Sequence, residues 1–331
     1  MFESESEEWL LAEMAGAQRA ERISIARRLL AAGRLCQLRM SAVDAADREQ
    51  WCIDNWEAVA AEVGAELGIS RARASVQMNY GLELLERLPK LGEAFAHGEV
   101  DFRVIAVAVF RTGLITDPAI LAAIDARLAV KTPQWNTLAR ARIAEAVDWW
   151  VRDLDPAAER VARRSTADRH IEIGSGQDGL AEFWGDLCCR FPGCDKPAEV
   201  CDIDHTIPYR LGGPTHPSNL SLKCRAHHLL KTFWSGQNGW REGQFSDGTI
   251  VWTSPAGRRY TTTPGGAMFF PQLAMPTQEL SVVVPLPDDP RRDRTMLMPT
   301  RKRTRAAERA TRIAWERGVN EARWAADPPP F

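Results

Sequence analysis

With 331 residues, 45% of them apolar and 26% charged, the chain is long enough for two or three domains with hydrophobic cores, and disorder throughout is excluded. Its 42 lysines and arginines stand against 44 aspartates and glutamates, a net charge of -2, so the total announces neither a nucleic-acid nor a membrane partner. The longest uncharged stretch, 260–278, is interrupted by Pro264, Pro271 and Pro276, and the apolar run 104–110 is far too short to span a bilayer, so no membrane helix is expected.

The first thirteen residues hold five glutamates and no base, the opposite of a secretory or mitochondrial leader, and a cytoplasmic location is expected. Residues 1–167 then read as an all-α domain, rich in alanine, leucine and arginine and nearly free of strand-like alternation. Helix starts are expected near Ser6, Asp54, Ser70, Asp101, Asp117, Asn136 and Pro156, each marked by a capping side chain or a first-turn proline. Within this domain, 58–85 has the cadence of a helix-turn-helix. An alanine-rich helix stops at Gly68, turns through Ile69 and Ser70, and resumes with Arg71 and Arg73 at the N-terminal end, where a recognition helix meets DNA base edges. Ordinary helical bundles turn corners in the same way, so the pattern admits both readings. Cys36 and Cys52 lie in apolar-periodic sequence and read as small buried thiols.

Residues 168–187 are expected to form a β-hairpin, from alternating runs at 170–173 and 180–184 around a glycine-containing turn. Residues 239–263 carry aromatic and β-branched runs broken by Asp247-Gly248 and Pro255-Ala256-Gly257, the punctuation of a small antiparallel meander. Trp234, Trp240 and Trp252 are read as its core in preference to base-stacking platforms. Residues 264–331 are read as a proline-rich linker followed by a basic tail. Between 291 and 317 there are ten basic and three acidic residues, with a helix expected over 301–317. Such charge either grips phosphate through counterion release or is solvated without a partner.

The densest chemistry lies at 188–263. Five of the seven cysteines fall between Cys188 and Cys224, and four of the six histidines between His205 and His228. In a chain of this size, that density points to a metal site more than to a disulfide framework. Cys189-Arg-Phe-Pro-Gly-Cys194 and, thirty residues on, Cys224-Arg-Ala-His227 form two knuckle-like pairs suited to tetrahedral, structural Zn²⁺. Cys189 is chosen over Cys188 by spacing and by the Pro-Gly turn, and Cys201 is the reserve ligand or a buried strand thiol. Interleaved with this set are Asp202-Ile-Asp204-His205, Asn219 and His228, with Gly212, Gly213 and Pro217 as loop residues. A strand over 198–204 would deliver Asp204 and His205, a second strand would follow near 219–222, and a helix from Cys224 would present His227 and His228. His216 lies outside both sets and reads as a loop residue without a role.

On these residues, 189–231 resembles the HNH endonuclease superfamily, with His205, Asn219 and His228 in its three name-giving positions. The whole chain is similar to the actinobacterial 13E12-repeat family, in which a helical domain of unknown function precedes an HNH module. That wider likeness is carried by Leu67-Gly-Ile-Ser70 and Leu88-Pro-Lys-Leu-Gly-Glu-Ala-Phe-Ala-His-Gly-Glu-Val100. Two departures stand out: Leu187 runs straight into Cys188 where a further helical stretch is expected, and His227 replaces a cysteine common in the superfamily. The resemblance implies a mainly α N-terminal domain with a small hairpin and a C-terminal α+β module of the ββα-metal type. It implies metal-dependent hydrolysis of DNA phosphodiester bonds, leaving a 3′-hydroxyl and a 5′-phosphate. His205 would be the general base, Asp204 and His228 would hold Mg²⁺ or Mn²⁺, and Asn219 would hold the loop and orient the catalytic imidazole. Arg210, Lys223 and Lys231 are candidate phosphate contacts, beside Arg71 and Arg73 in the helical region. The rival expectation is a zinc-containing DNA-binding protein without turnover. No heptad or self-complementary face fixes an oligomeric state.

Overall fold

The computed structural model of the chain describes residues 6–42, 46–160, 186–236, 239–268, 275–277 and 297–326. Its contacts divide it into two units, each drawn from separate stretches of chain: Met1–Ala42, Val76–Asp168 and Arg303–Phe331 form the first, Val43–Ser75 and Arg169–Lys302 the second. The helix-rich stretch 1–167 is therefore shared between them, because residues 43–75 pack with sequence that comes much later. The hairpin strands expected at 170–173 and 180–184 lie outside the described residues, as does most of the proline-rich stretch 265–290.

The first unit is helical: α1 (Glu7–Met40), most of α3 (Arg71–Leu82), a single π turn (Glu83–Arg87), α4 (Pro89–Ala96), α5 (Phe102–Thr112), α6 (Pro118–Lys131), α7 (Arg140–Leu154) and α9 (Arg305–Ala326). Ser6, Asp101 and Asp117 each accept a hydrogen bond from a first-turn amide, at 3.2 Å from Trp9, 2.8 Å from Arg103 and 2.7 Å from Ala119. Leu29, Leu91, Phe95, Ile105, Ile124 and Val147 anchor one continuous core. Two expected helix starts fail. Asn136 instead accepts from the Asp101 amide at 2.8 Å and donates to the Glu99 carbonyl at 2.7 Å, tying down the entry to α5, while α7 begins at Arg140. Pro156 opens only a single 3₁₀ turn. Conversely, α4 has no local cap: Asp125, on α6, accepts from the Lys90 and Leu91 amides at 2.9 and 3.0 Å, a cap supplied from 34 residues away.

The tail helix expected over 301–317 is present as α9, and part of its charge is spent within the first unit. Arg317 donates to Asp155 at 2.7 Å and to the Leu114 carbonyl at 3.1 Å, Arg323 reaches Glu159 at 3.2 Å, and Arg309 pairs with Glu83. Buried Asn320 donates to the carbonyls of Ala157 and Glu159. Of the ten basic residues between 291 and 317, Arg309 and Arg317 are thus engaged within this unit. Where α1 crosses α3, a Cβ at Gly81 would sit 2.0 Å from the Leu29 carbonyl oxygen and 2.7 Å from the Gly33 nitrogen, both rigid backbone. Gly81→Ala is expected to destabilise the first unit by about 3 kcal/mol, read by chemical denaturation; an unchanged midpoint would refute the close crossing.

In the second unit, α2 (Asn55–Leu67) and the start of α3 join β1 (Cys201–His205), β2 (Leu220–Cys224), α8 (Arg225–Phe233) and the strands β3 (Arg241–Gln244), β4 (Ile250–Thr253) and β5 (Arg259–Thr262). β1 and β2 pair antiparallel, with Cys201 opposite Cys224 and His205 opposite Leu220; β3, β4 and β5 form the meander in sequence order. Trp240 and Trp252 are fully buried and pack on Phe191 at ring distances of 4.7 and 5.0 Å, so they serve the core. Trp234 is half-buried, and its indole donates to the Ile53 carbonyl at 3.0 Å. The helix, turn, helix outline at 58–85 is present, but α2 buries Ala58, Ala61 and Ala65 in this same core beside Phe191 and Trp252. Its alanine content reflects close packing. Arg71 pairs with Glu57, which leaves Arg73 as the exposed arginine of the two. No helix among the described residues is long and apolar enough to cross a membrane.

Candidate metal centre and active site

Cys189 and Cys194 flank a tight knuckle, Cys224 ends β2, and His227 lies in the first turn of α8. Their ligand atoms all lie within 4.8 Å of one another. His227 Nδ1 is 3.4 Å from Cys189 Sγ and 3.3 Å from Cys224 Sγ, close to the edge of about 3.5 Å expected when sulfur and nitrogen share one tetrahedral ion. These four residues could hold a metal ion. Phe191 stacks on the His227 ring at 4.0 Å, and His227 Nε2 is buried without a hydrogen-bond partner among the described residues. Hydrogen bonds to Cys194 and Cys224 push the Cys189 thiol up, those from Cys189 and Cys194 pull Cys224 down, and burial pulls the His227 imidazole down. Three crowded sulfurs thus favour one shared thiolate until a cation allows more. Cys188 stands outside the cluster. So does Cys201, whose Sγ donates to the Pro197 carbonyl at 3.2 Å and whose thiol burial pushes up to about 11.

One residue along α8, at His228, a second constellation forms. Alternation along β1 puts Asp202 and Asp204 on the strand face that meets α8. His228 Nδ1 donates to Asp202 Oδ2 at 2.9 Å, which turns its Nε2 toward Asp204 Oδ1 at 3.6 Å. His205 ends the strand: its Nε2 bonds Thr215 Oγ1 at 3.1 Å and its ring meets Tyr209 edge-on at 5.9 Å. Asn219 is fully buried and ties the intervening loop. It accepts from the Ile207 amide at 2.7 Å and donates to the carbonyls of Ile207 at 3.0 Å and Pro214 at 2.9 Å. The loop can approach so closely only because position 213 is glycine, where a Cβ would lie 1.9 Å from the Ile207 oxygen. Asn219→Ala strands three part-buried backbone groups and is expected to destabilise the second unit by about 1–3 kcal/mol, measured by urea unfolding; a loss under half that would refute this role.

Two of the expected phosphate contacts point inward. Lys223 is 0% exposed, 3.0 Å from Glu242 and 3.6 Å from Asp204, and donates to Ser221 Oγ. The expectation that it touches DNA is corrected: in the β1–β2 register it falls on the face covered by the meander. Lys231 meets Asp204 at 2.7 Å and Glu242 at 2.6 Å and donates to the His205 carbonyl. Burial alone would raise the Asp204 carboxyl, but Lys231 and Lys223 outweigh it and hold the group below the usual range. Arg210 is exposed. His216, read as having no role, accepts from the Ser218 amide at 3.2 Å and so caps a short turn.

Sequence reasoning assigned no role to four supports of this site. Asp202 was signalled by its i, i+2 spacing to Asp204. Glu242 and Gln244 alternate on β3, a pattern that reads as a solvent face. In the fold, Gln244 accepts from Thr206 Oγ1 at 2.7 Å and donates to the carbonyls of Pro217 and Leu220, bracing the loop. Arg190, paired with Asp186 and donating to the carbonyls of Gly248 and Thr262, likewise fastens the cysteine knuckle to the meander.

Comparison with known proteins places the helical portion. The family model described as "Domain of unknown function (DUF222)" matches residues 16–189. Uncharacterized protein Rv3776 of Mycobacterium tuberculosis is 30% identical, covering 93% of this chain and 89% of its own length. Uncharacterized protein Rv2100 of the same organism is 29% identical over 95% of this chain and 88% of its own. The first alignment runs over 473 positions, more than this chain possesses, so that relative holds internal sequence with no counterpart here. No solved structure matches the chain.

Proposed function

The chain belongs to the DUF222 family, and from that premise, joined to the site just described, we propose that it is a metal-dependent HNH endonuclease that hydrolyses DNA phosphodiester bonds, with Zn²⁺ held by Cys189, Cys194, Cys224 and His227. One observation carries this reading: Asp204 and His228 face each other at 3.6 Å, on two antiparallel strands and a helix, with His205 the next residue along β1. An oxygen and an imidazole nitrogen so placed fit a single Mg²⁺ or Mn²⁺, with solvent and substrate completing the shell.

A phosphodiester resists attack because its own charge repels nucleophiles. Bound at Asp204 and His228, the divalent ion would supply Lewis-acid neutralisation of the charge that builds on the phosphoryl group. His205 takes the proton from the attacking water, its ring held by Thr215. Asp202 fixes the His228 tautomer, so that Nε2 presents its lone pair toward Asp204. Asn219 acts at a distance, holding the loop that carries Thr215. Arg210 and Arg73 remain the exposed candidates for phosphate contact, with products bearing a 3′-hydroxyl and a 5′-phosphate. Incubating supercoiled plasmid with the full chain should give nicked or linear DNA only when Mg²⁺ or Mn²⁺ is present. Retardation of intact plasmid without metal, and no cutting with it, would overturn the enzyme reading in favour of a zinc clamp that binds DNA without turnover.

A further inference from the structure

Four charged side chains meet at Asp204, its own included, and one of them comes from outside the strand, strand and helix unit. Lys223 on β2 and Lys231 on α8 each contact both Asp204 and Glu242, and Glu242 is contributed by β3 of the meander. Both Glu242 and Lys223 are essentially inaccessible, with side chains 3% and 0% exposed, and the indole of Trp252 lies 5.4 Å from the Lys223 ammonium. Two carboxylates and two ammonium groups make a closed set of zero net charge in a place where an unbalanced charge is costly. The set is lopsided toward one oxygen. Both lysines lie nearest Asp204 Oδ2, leaving Oδ1 to face His228 Nε2. Lys231 also donates to the carbonyl of His205, so the same ammonium group links the meander carboxylate to the peptide of the neighbouring residue.

We propose that Glu242 is a positioning residue for the divalent-cation pair Asp204 and His228, acting as the counter-charge that lets buried Lys223 and part-buried Lys231 orient Asp204 without repelling the cation. This rests on the nuclease reading for the identity of the pair. With Glu242 present, the lysines are neutralised, and Asp204 Oδ1 offers its full negative character to an incoming ion. Without it, two ammonium groups oppose one carboxylate, and the surplus positive charge lies within a few ångströms of where a doubly charged ion must bind. Coulomb repulsion at that range in a partly buried site amounts to at least a tenfold loss of affinity, about 1.4 kcal/mol. A purely structural ion pair makes a different forecast, because its removal would weaken the fold without regard to the charge left behind.

The test is Mn²⁺ binding to the zinc-loaded full chain, followed by the electron paramagnetic resonance signal of free Mn²⁺, with zinc content and circular dichroism as fold controls. Wild type should show one Mn²⁺ site that Asp204→Ala abolishes. Glu242→Gln should weaken that site about tenfold or more, and the double variant Lys223→Met with Glu242→Gln, again of zero net charge, should recover to within about threefold of wild type. If Glu242→Gln fails to fold, Lys223→Met alone, which leaves a surplus negative charge, should tighten Mn²⁺ binding by about threefold or more. Unchanged affinity in Glu242→Gln, a folded double variant that does not recover, or unchanged affinity in Lys223→Met would each overturn the proposal while leaving the nuclease reading intact. A wild-type chain without an Asp204-dependent Mn²⁺ site would instead overturn the nuclease reading and, with it, the pair that Glu242 is said to serve.

Discussion

Replacing Cys224 by serine is expected to abolish metal retention at the Cys189, Cys194, Cys224 and His227 cluster and to unfold the second unit at ordinary temperature. The cluster ties the knuckle, the end of β2 and the start of α8 to one point. The core it sits in is small: Phe191, Trp240, Trp252, Ile250 and a few aliphatic residues, with three alanines from α2. A core of this size leaves little margin once conformational entropy is subtracted, and a structural zinc contributes on the order of 10 kcal/mol of apparent folding free energy in comparable small modules. Without the ion, buried thiols and an imidazole whose Nε2 already lacks a partner remain in apolar surroundings. Metal content by mass spectrometry and a thermal scan check this together. Full zinc occupancy with an unshifted transition in the serine variant would show that the cluster is not what holds the unit.

His205→Ala should behave oppositely. The side chain is half-buried, and its ring contacts are one hydrogen bond to Thr215 and an edge against Tyr209. On the proposed nuclease reading, its removal should leave metal content and melting temperature close to wild type, while plasmid cleavage should fall by about 10²–10⁴-fold, the usual cost of losing a general base. The contrast between the two variants separates the ion that scaffolds from the groups that react. A folded His205→Ala protein that nicks plasmid at the wild-type rate would remove the base assignment and leave Asp204 and His228 to be tested alone.

Much of the second unit could be read from local sequence because its chemistry is written in short spacings. Cys189 to Cys194 and Cys224 to His227 each fall within one knuckle or one helical turn, so their ligand atoms have few ways to avoid converging. The helix starts at Ser6, Asp54, Asp101 and Asp117 were legible for the same reason: the capping oxygen and the amide it satisfies are two or three residues apart. Where the partner is remote, local reading failed. Asn136 looks like a helix cap and serves instead as a brace for α5. The first turn of α4 draws its cap from Asp125 on α6, and the alanines of α2 fit a recognition motif as well as a packing face.

The sequence by itself determined the four residues that could hold a metal ion, the two carboxylates of β1 and the mainly helical character of the first 160 residues, since each depends on periodicity or spacing within short stretches. Only the tertiary structure decided which charges face solvent. Lys223 and Lys231 carry the same group as any surface lysine, and nothing in their immediate neighbours marks them as buried. The register of β1 against β2 and the docking of β3 bring Glu242 over them and convert two apparent DNA contacts into an internal charge network. Burial and pairing of charge are properties of surfaces that close on one another, and a chain reveals those surfaces only once it is folded.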